Sequence, residues 1–160
     1  MTDPQASGLN LREGRPEDDA ACGRIIADAT MASPLPARMP HAIAKWSDSS
    51  PLAAEGRIRV VAERSGAVAG FADYSAERCH LRYLFVAPSA QGHGIASALT
   101  THIQEALMAP LSVHCLAVND VALRWYLRHG FAVTDGFLED LDGQDAVWLR
   151  LVRAYPWADQ

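Results

Sequence analysis

The order of secondary-structure signals in this chain predicts an α+β fold, a mixed sheet flanked by helices. Three observations carry that prediction. A β-rich hairpin, RIRVVAERSGAVAGFADY, starts at Arg57. A strand, a glycine turn and a helix follow without interruption in CHLRYLFVAPSAQGHGIASALTTHIQEALMAP, and a strand, a helix and two more strands complete the order. The 160 residues, 49% of them hydrophobic, suffice for one core and not two, so residues 1–160 read as a single domain with its core over about 9–152.

Each element has its own signal. LNLR, residues 9–12, is a short strand, and Pro16 followed by Glu17, Asp18 and Asp19 starts a helix. Proline suits the first helical turn, and the acids sit at the positive end of the dipole. Ile25, Ile26 and Ala29 supply a core face. Residues 30–50 hold three prolines and no sustained period, with one short helix expected over 41–46. An irregular excursion of that length is often functional, and Met31, Arg38, Met39, Lys45 and Trp46 are its candidate acceptor contacts. Ser65-Gly66 turns the hairpin, and Pro88 ends the next strand. Ile95, Leu99, Ile103 and Leu107 recur at i, i+4 spacing, widened by Ala98 and Ala106, until Pro110 stops the helix. LSVHCLAV is a strand, NDVALRWYLRHG a helix closed by Gly130, and FAVTD with AVWLRLV a final strand pair around a polar turn.

Composition removes several function classes. Nineteen acidic against fourteen basic residues give a net charge of -5, and the arginines are scattered, which argues against a nucleic-acid partner. No apolar run approaches a membrane span, and MTDPQASGLN has neither a basic nor a hydrophobic leader segment, so a cytoplasmic protein without a membrane partner is expected. Cys22, Cys79 and Cys115 form no C-x-x-C pair, and the six histidines lack H-x-x-x-H spacing, so no metal site is expected.

The chemistry points to the glycine turn. A helix N-terminus after a strand offers amides without intrahelical partners at the positive end of a dipole, a natural anion site. Gly92-His93-Gly94 precedes Ile95 with no Gly-Lys-Ser/Thr, which excludes the nucleoside-triphosphate loop. Gly92-x-Gly94-x-x-Ser97 approaches the dinucleotide fingerprint, but that motif belongs after the first strand of a βαβ array, and here half the chain precedes it. A tight turn without any ligand is the remaining alternative.

Two blocks resolve the choice by resemblance. Val86-x-x-x-x-Gln91-x-x-Gly94-x-Ala96 resembles the acyl-CoA signature of the GNAT superfamily of N-acyltransferases. Asn119-x-x-Ala122-x-x-Trp125-Tyr126-x-x-x-Gly130-Phe131 is similar to that family's second block. Ala96 replaces the commoner second glycine, and Trp125 stands where phenylalanine or leucine is frequent.

The resemblance implies a GNAT-like, mostly antiparallel mixed sheet and an N-acetyltransferase that moves the acetyl group of acetyl-CoA to a primary amine by direct attack. The amides of Gln91, Gly92, His93, Gly94, Ile95, Ala96 and Ser97 would receive the CoA pyrophosphate, and Leu84, Phe85 and Val86 would pair with its pantetheine arm. Asn119 would lie near the cofactor, and Arg128 could meet an adenosine phosphate. Tyr126 matches the family's general acid, and His80 holds the place where some members carry a base, an imidazole suited in pKa, with Asp73 and Tyr74 in reserve. On strict alternation His80 shares a face with Arg82, Leu84 and Val86. The acceptor is a small-molecule or protein amine, and pairing into a homodimer is a further expectation. The rival readings are a noncatalytic acyl-CoA-binding or sensing module and a dinucleotide-binding protein.

Overall fold

The computed structural model of the chain describes residues 8–40, 56–141 and 143–156. Strands β1 (Leu9–Glu13), β2 (Arg57–Arg64), β3 (Ala67–Ser75), β4 (His80–Val86), β5 (Leu111–Leu116), β6 (Ala132–Leu141) and β7 (Gln144–Arg153) form one sheet in the order β1-β2-β3-β4-β5-β7-β6. Only β4 and β5 run parallel; every other neighbouring pair is antiparallel. The helices are α1 (Asp19–Met31), α2 (Leu35–Arg38), α3 (Ile95–Leu107) and α4 (Asp120–Arg128). The expected α+β architecture is therefore present.

Helix α3 buries its predicted stripe. Ile95, Leu99 and Ile103 lie with Leu81, Leu111, Val113 and Leu151 in the main core on one face of the sheet. Fully burying a leucine or isoleucine contributes about 1.5–3 kcal/mol, so this row dominates the attachment of α3. On the opposite face, Cys22, Ile25 and Ile26 of α1 pack on Val61 and Phe71.

Three local features differ from the expectation. Pro16–Asp18 forms a 3-10 turn ahead of α1. Asp18 is drawn into a bidentate pair with Arg12 at 2.8 Å and accepts the Arg15 amide at 2.7 Å. The final strands are longer than FAVTD and AVWLRLV, because backbone pairing continues from Ala132↔Val152 to Leu141↔Gln144 despite the polar run between them. In the proline-rich stretch, α1 persists to Met31 and α2 forms at Leu35–Arg38. The helix expected over 41–46, with Lys45 and Trp46, lies outside the described residues.

Two irregularities shape what lies between the helices. Strands β4 and β5 pair only at His80↔Ser112 and Leu81↔Val113, and beyond those pairs they separate. Strand β4 also carries a bulge: Tyr74 pairs with Leu81 and Asp73 with Tyr83, so Arg82 has no partner in β3. One extra residue reverses side-chain parity. The alternation expected for His80 fails for that reason: Leu81, not His80, packs with Leu84 and Val86, while Tyr83 and Phe85 face α1.

Candidate functional site

The gap between β4 and β5 opens into two adjoining cavities. The larger, about 650 Å³, is walled by the end of β4, the glycine turn, the first turn of α3 and one side of α4. The smaller, about 420 Å³, lies over the face of β4, β5, β7 and β6 that α1 and α2 border. Leu84, Phe85, Asn119 and Tyr126 line both.

The glycine turn explains the larger cavity's chemistry. Gly92 and Gly94 have φ of 81° and 78°, a left-handed region that penalises any side chain. A Cβ at either position would meet nothing within 4 Å, so backbone conformation, not crowding, demands glycine there. Gly94 is the N-cap of α3 and offers no side-chain cap, which leaves the first-turn amides free toward the cavity side of the turn. Such a cradle fits a diphosphate. Gln91 braces the turn by donating from Nε2 to the Val86 carbonyl at 3.2 Å.

Of the expected cofactor contacts, Leu84, Phe85, Val86, Gln91, Gly92, Gly94, Ile95, Ala96, Ser97, Asn119 and Tyr126 all line the larger cavity. His93 does not; its ring turns back to the Ala90 carbonyl at 3.1 Å. Arg128 lines the same cavity. Asn119 caps α4, its side-chain oxygen accepting from the Ala122 amide at 3.3 Å.

Tyr126 is buried on α4, against Phe131 at 5.2 Å between ring centroids and Trp125 at 5.4 Å. Its hydroxyl has no hydrogen-bond partner among the described residues. Burial, with a smaller contribution from Cys115, raises its pKa and keeps it protonated.

His80 lies in the smaller cavity, its Nδ1 2.7 Å from Ser112 Oγ and its ring 4.6 Å from that of His114. The expectation of an ordinary imidazole pKa is not met. Burial first, then His114, Arg82, Arg150 and Arg78, lowers it to about 4. His114 is lowered too, by burial and then Arg150.

The reserve candidates have other duties. Asp73 is buried and holds Arg59 through both oxygens, at 2.7 and 2.9 Å, while Arg59 also reaches Asp19 at 2.7 Å. A carboxylate locked in that fork is structural. Tyr74 is packed in the main core. Met39 is buried with Leu35, Leu116 and Ala146, Met31 is exposed, and neither they nor Arg38 line a cavity.

Several lining residues were not singled out as site candidates by the sequence, though Trp125 stands in the second block. Thr30 and Leu35 reach both cavities from the helical side. Trp125 and His129, stacked at 4.0 Å, line the larger one, and His114, Phe137, Glu139 and Trp148 the smaller. The last four share one sheet face across three strands, a neighbourhood that only the pairing register reveals. No group of three or more histidine, cysteine or acidic side chains able to hold a metal occurs among the described residues. No helix there is long and apolar enough to cross a membrane.

The splayed parallel pair, the glycine turn at a helix start and a tyrosine lining both cavities are the features to compare with known folds. Residues 55–133 match the acetyltransferase (GNAT) domain model, and the fold is similar to that of solved GNAT-family proteins. A GCN5-related N-acetyltransferase from Rhodopseudomonas palustris superposes with a TM-score of 0.78 at 19% identity, covering 92% of this chain and 96% of that one. The PaiA N-acetyltransferase of Thermoplasma acidophilum, solved in complex with coenzyme A, gives 0.73 at 16% identity over 92% and 99%. A spermidine N-acetyltransferase SpeG chimera from Vibrio cholerae and hSSAT gives 0.65 at 16% identity over 93% and 96%. At these identities the likeness is one of fold. No curated protein matches the sequence.

Proposed function

We propose that this protein is an N-acetyltransferase that moves the acetyl group of acetyl-CoA to a primary amine, of a small molecule or a protein, by direct attack. The observation that carries the reading is that Tyr126, its hydroxyl without a partner among the described residues, lines both cavities: a cradle for an anionic donor on one side, an acceptor chamber on the other. The solved complex of the Thermoplasma relative with coenzyme A supports the choice of donor.

Acetyl-CoA supplies the acetyl group as a thioester, so the amine nitrogen forms a bond to the carbonyl carbon while the carbon–sulfur bond breaks. The chain's residues do the rest. Amides of residues 91–97 hold the diphosphate, and the free edge of β4 at Leu84, Phe85 and Val86 pairs with the pantetheine arm. Tyr126 donates its phenolic proton to the departing sulfur. His80, unprotonated at neutral pH, accepts a hydrogen bond from the amine and passes its proton to water; an imidazole of such low basicity orients the nucleophile and does not retain the proton.

Thermal melting with acetyl-CoA, CoA and NADH side by side tests the donor. A ligand at one hundred times its dissociation constant adds about 2.7 kcal/mol, which raises the midpoint by several degrees in a chain of this size. Stabilisation by both CoA species and not by NADH is expected. Stabilisation by NADH alone would sink the reading in favour of a dinucleotide ligand, and CoA binding without turnover of any amine would indicate a sensing module.

A further inference from the structure

We propose, building on the acetyltransferase reading, that the acceptor is an amino-acid-type amine whose carboxylate pairs with the Arg82 guanidinium. Three independent observations lead there. First, Arg82 is the only arginine lining the smaller cavity, and it stands on the β4 bulge, the one residue of that stretch without a partner in β3. A bulge re-aims a side chain relative to its strand. Second, the guanidinium lies 5.5 Å from the centroid of the Tyr83 ring and makes no ion pair among the described residues, whose pairs belong to Arg12, Arg59 and Arg124. The ring supports the planar cation without neutralising it, and the donor fork remains available for an oxyanion. Third, although the chain carries a net charge of -5, burial and then His114, Arg82, Arg150 and Arg78 disfavour a proton on His80, which lines the same cavity as Arg82.

The acidic groups nearby oppose this field only in part: Asp135 acts against Arg150 and Arg82 at His114, whose pKa is lowered all the same. Asp135 pairs in register with Arg150 across β6 and β7, and Glu139 lies on β6, with β5 and β7 between it and the wall formed by β4. The chamber is therefore cationic at β4, aromatic on its floor at Phe137 and Trp148, and acidic only on its far side.

That polarity has a chemical consequence. A cationic field lowers the pKa of a bound ammonium as it lowers that of His80, which favours the neutral nucleophile. The same field repels the ammonium on arrival, so an acceptor needs its own anion to enter. An amine beside a carboxylate meets that entry requirement, and a polyamine does not.

The test is a CoA-release assay on L-phenylalanine and L-methionine, each beside its carboxamide and its decarboxylated amine, with spermidine as the polycation. Hydrogen bonds to a charged group place the expected preference for the carboxylates at about 10- to 100-fold in kcat/KM. Arg82→Gln should narrow the ratio to within about threefold and Arg82→Lys should keep part of it, while both variants keep the parent's thermal stabilisation by acetyl-CoA. Equal or better use of the decarboxylated amines or spermidine by the parent protein overturns the proposal and leaves the acetyltransferase reading intact. So does failure to acetylate any carboxylate-bearing amine when acetyl-CoA binds. Absence of stabilisation by acetyl-CoA is the distinct failure of the underlying reading.

Discussion

Tyr126 shows a mismatch between the surroundings of its ring and those of its hydroxyl. The ring is buried against Phe131 and Trp125, whereas the hydroxyl finds no protein partner and borders both cavities. A hydroxyl without a protein partner is available to hydrogen-bond a bound sulfur or oxygen. Tyr126→Phe keeps the packing and removes only the proton donor. We expect kcat to fall by about 100-fold or more while acetyl-CoA stabilises the variant as well as the parent. An unchanged kcat would remove Tyr126 from the chemistry. The spacing from Asn119 to Phe131 made this position legible in the sequence, since one short helix, Asp120–Arg128, fills the interval between them. His80 and Asp73 show the limit of such reading. Their types suit a base, but burial and neighbouring charges weaken one and the Arg59 fork immobilises the other; Arg78 and Arg82 flank His80 in the sequence, whereas its burial and the fork arise only on folding.

The turn between β4 and α3 was readable because its requirements are local. Glycine answers a positive φ at residues 92 and 94, and the apolar stripe of α3 answers the core. Gly94→Ala places a Cβ in open space but in a left-handed conformation, at a cost of about 1–2 kcal/mol. The expected result is a lower melting midpoint together with weaker stabilisation by acetyl-CoA, since relaxing the strain moves the first-turn amides. Gly94→Asn, better tolerated at positive φ, should lose less of both. Equal behaviour of the two variants and the parent would mean that the turn is not held as described. The bulge in β4 was not readable in this way. HLRYLFV alternates acceptably as a regular strand, and only pairing with β3 shows that Arg82 is the extra residue. The length of β6 was hidden for a related reason, because an exposed edge strand needs a partner's backbone more than apolar side chains.

Across the whole chain, net charge concealed the charge distribution that matters, since Arg78 and Arg82 flank His80 locally and folding adds His114 and Arg150 to the groups that act on it. The same buried groups set the pH range of stability. The folded state holds His80 at about 4 against an ordinary 6.5, and lowers His114 similarly. Above pH 6.5 both are neutral, folded or unfolded, and pH has no leverage through them. Below it the unfolded chain takes up protons that the folded one refuses, so stability falls until about pH 4. Asp18, held at about 2 chiefly by its hydrogen bonds from Arg12, extends the loss further into acid. On the alkaline side, burial raises Cys22 and Cys115 from 9.0 to about 11, so their contribution is complete below pH 9 and is lost as pH climbs through 11. The melting midpoint should therefore be flat from about pH 6.5 to 9 and drop by several degrees by pH 4.5. His80→Gln should make the acid decline shallower without moving the alkaline one. A midpoint that stays level from pH 7 to 4.5 in the parent would show that the imidazoles ionise freely in the folded protein, and with that the cationic, partly buried chamber argued for the acceptor would lose its physical basis.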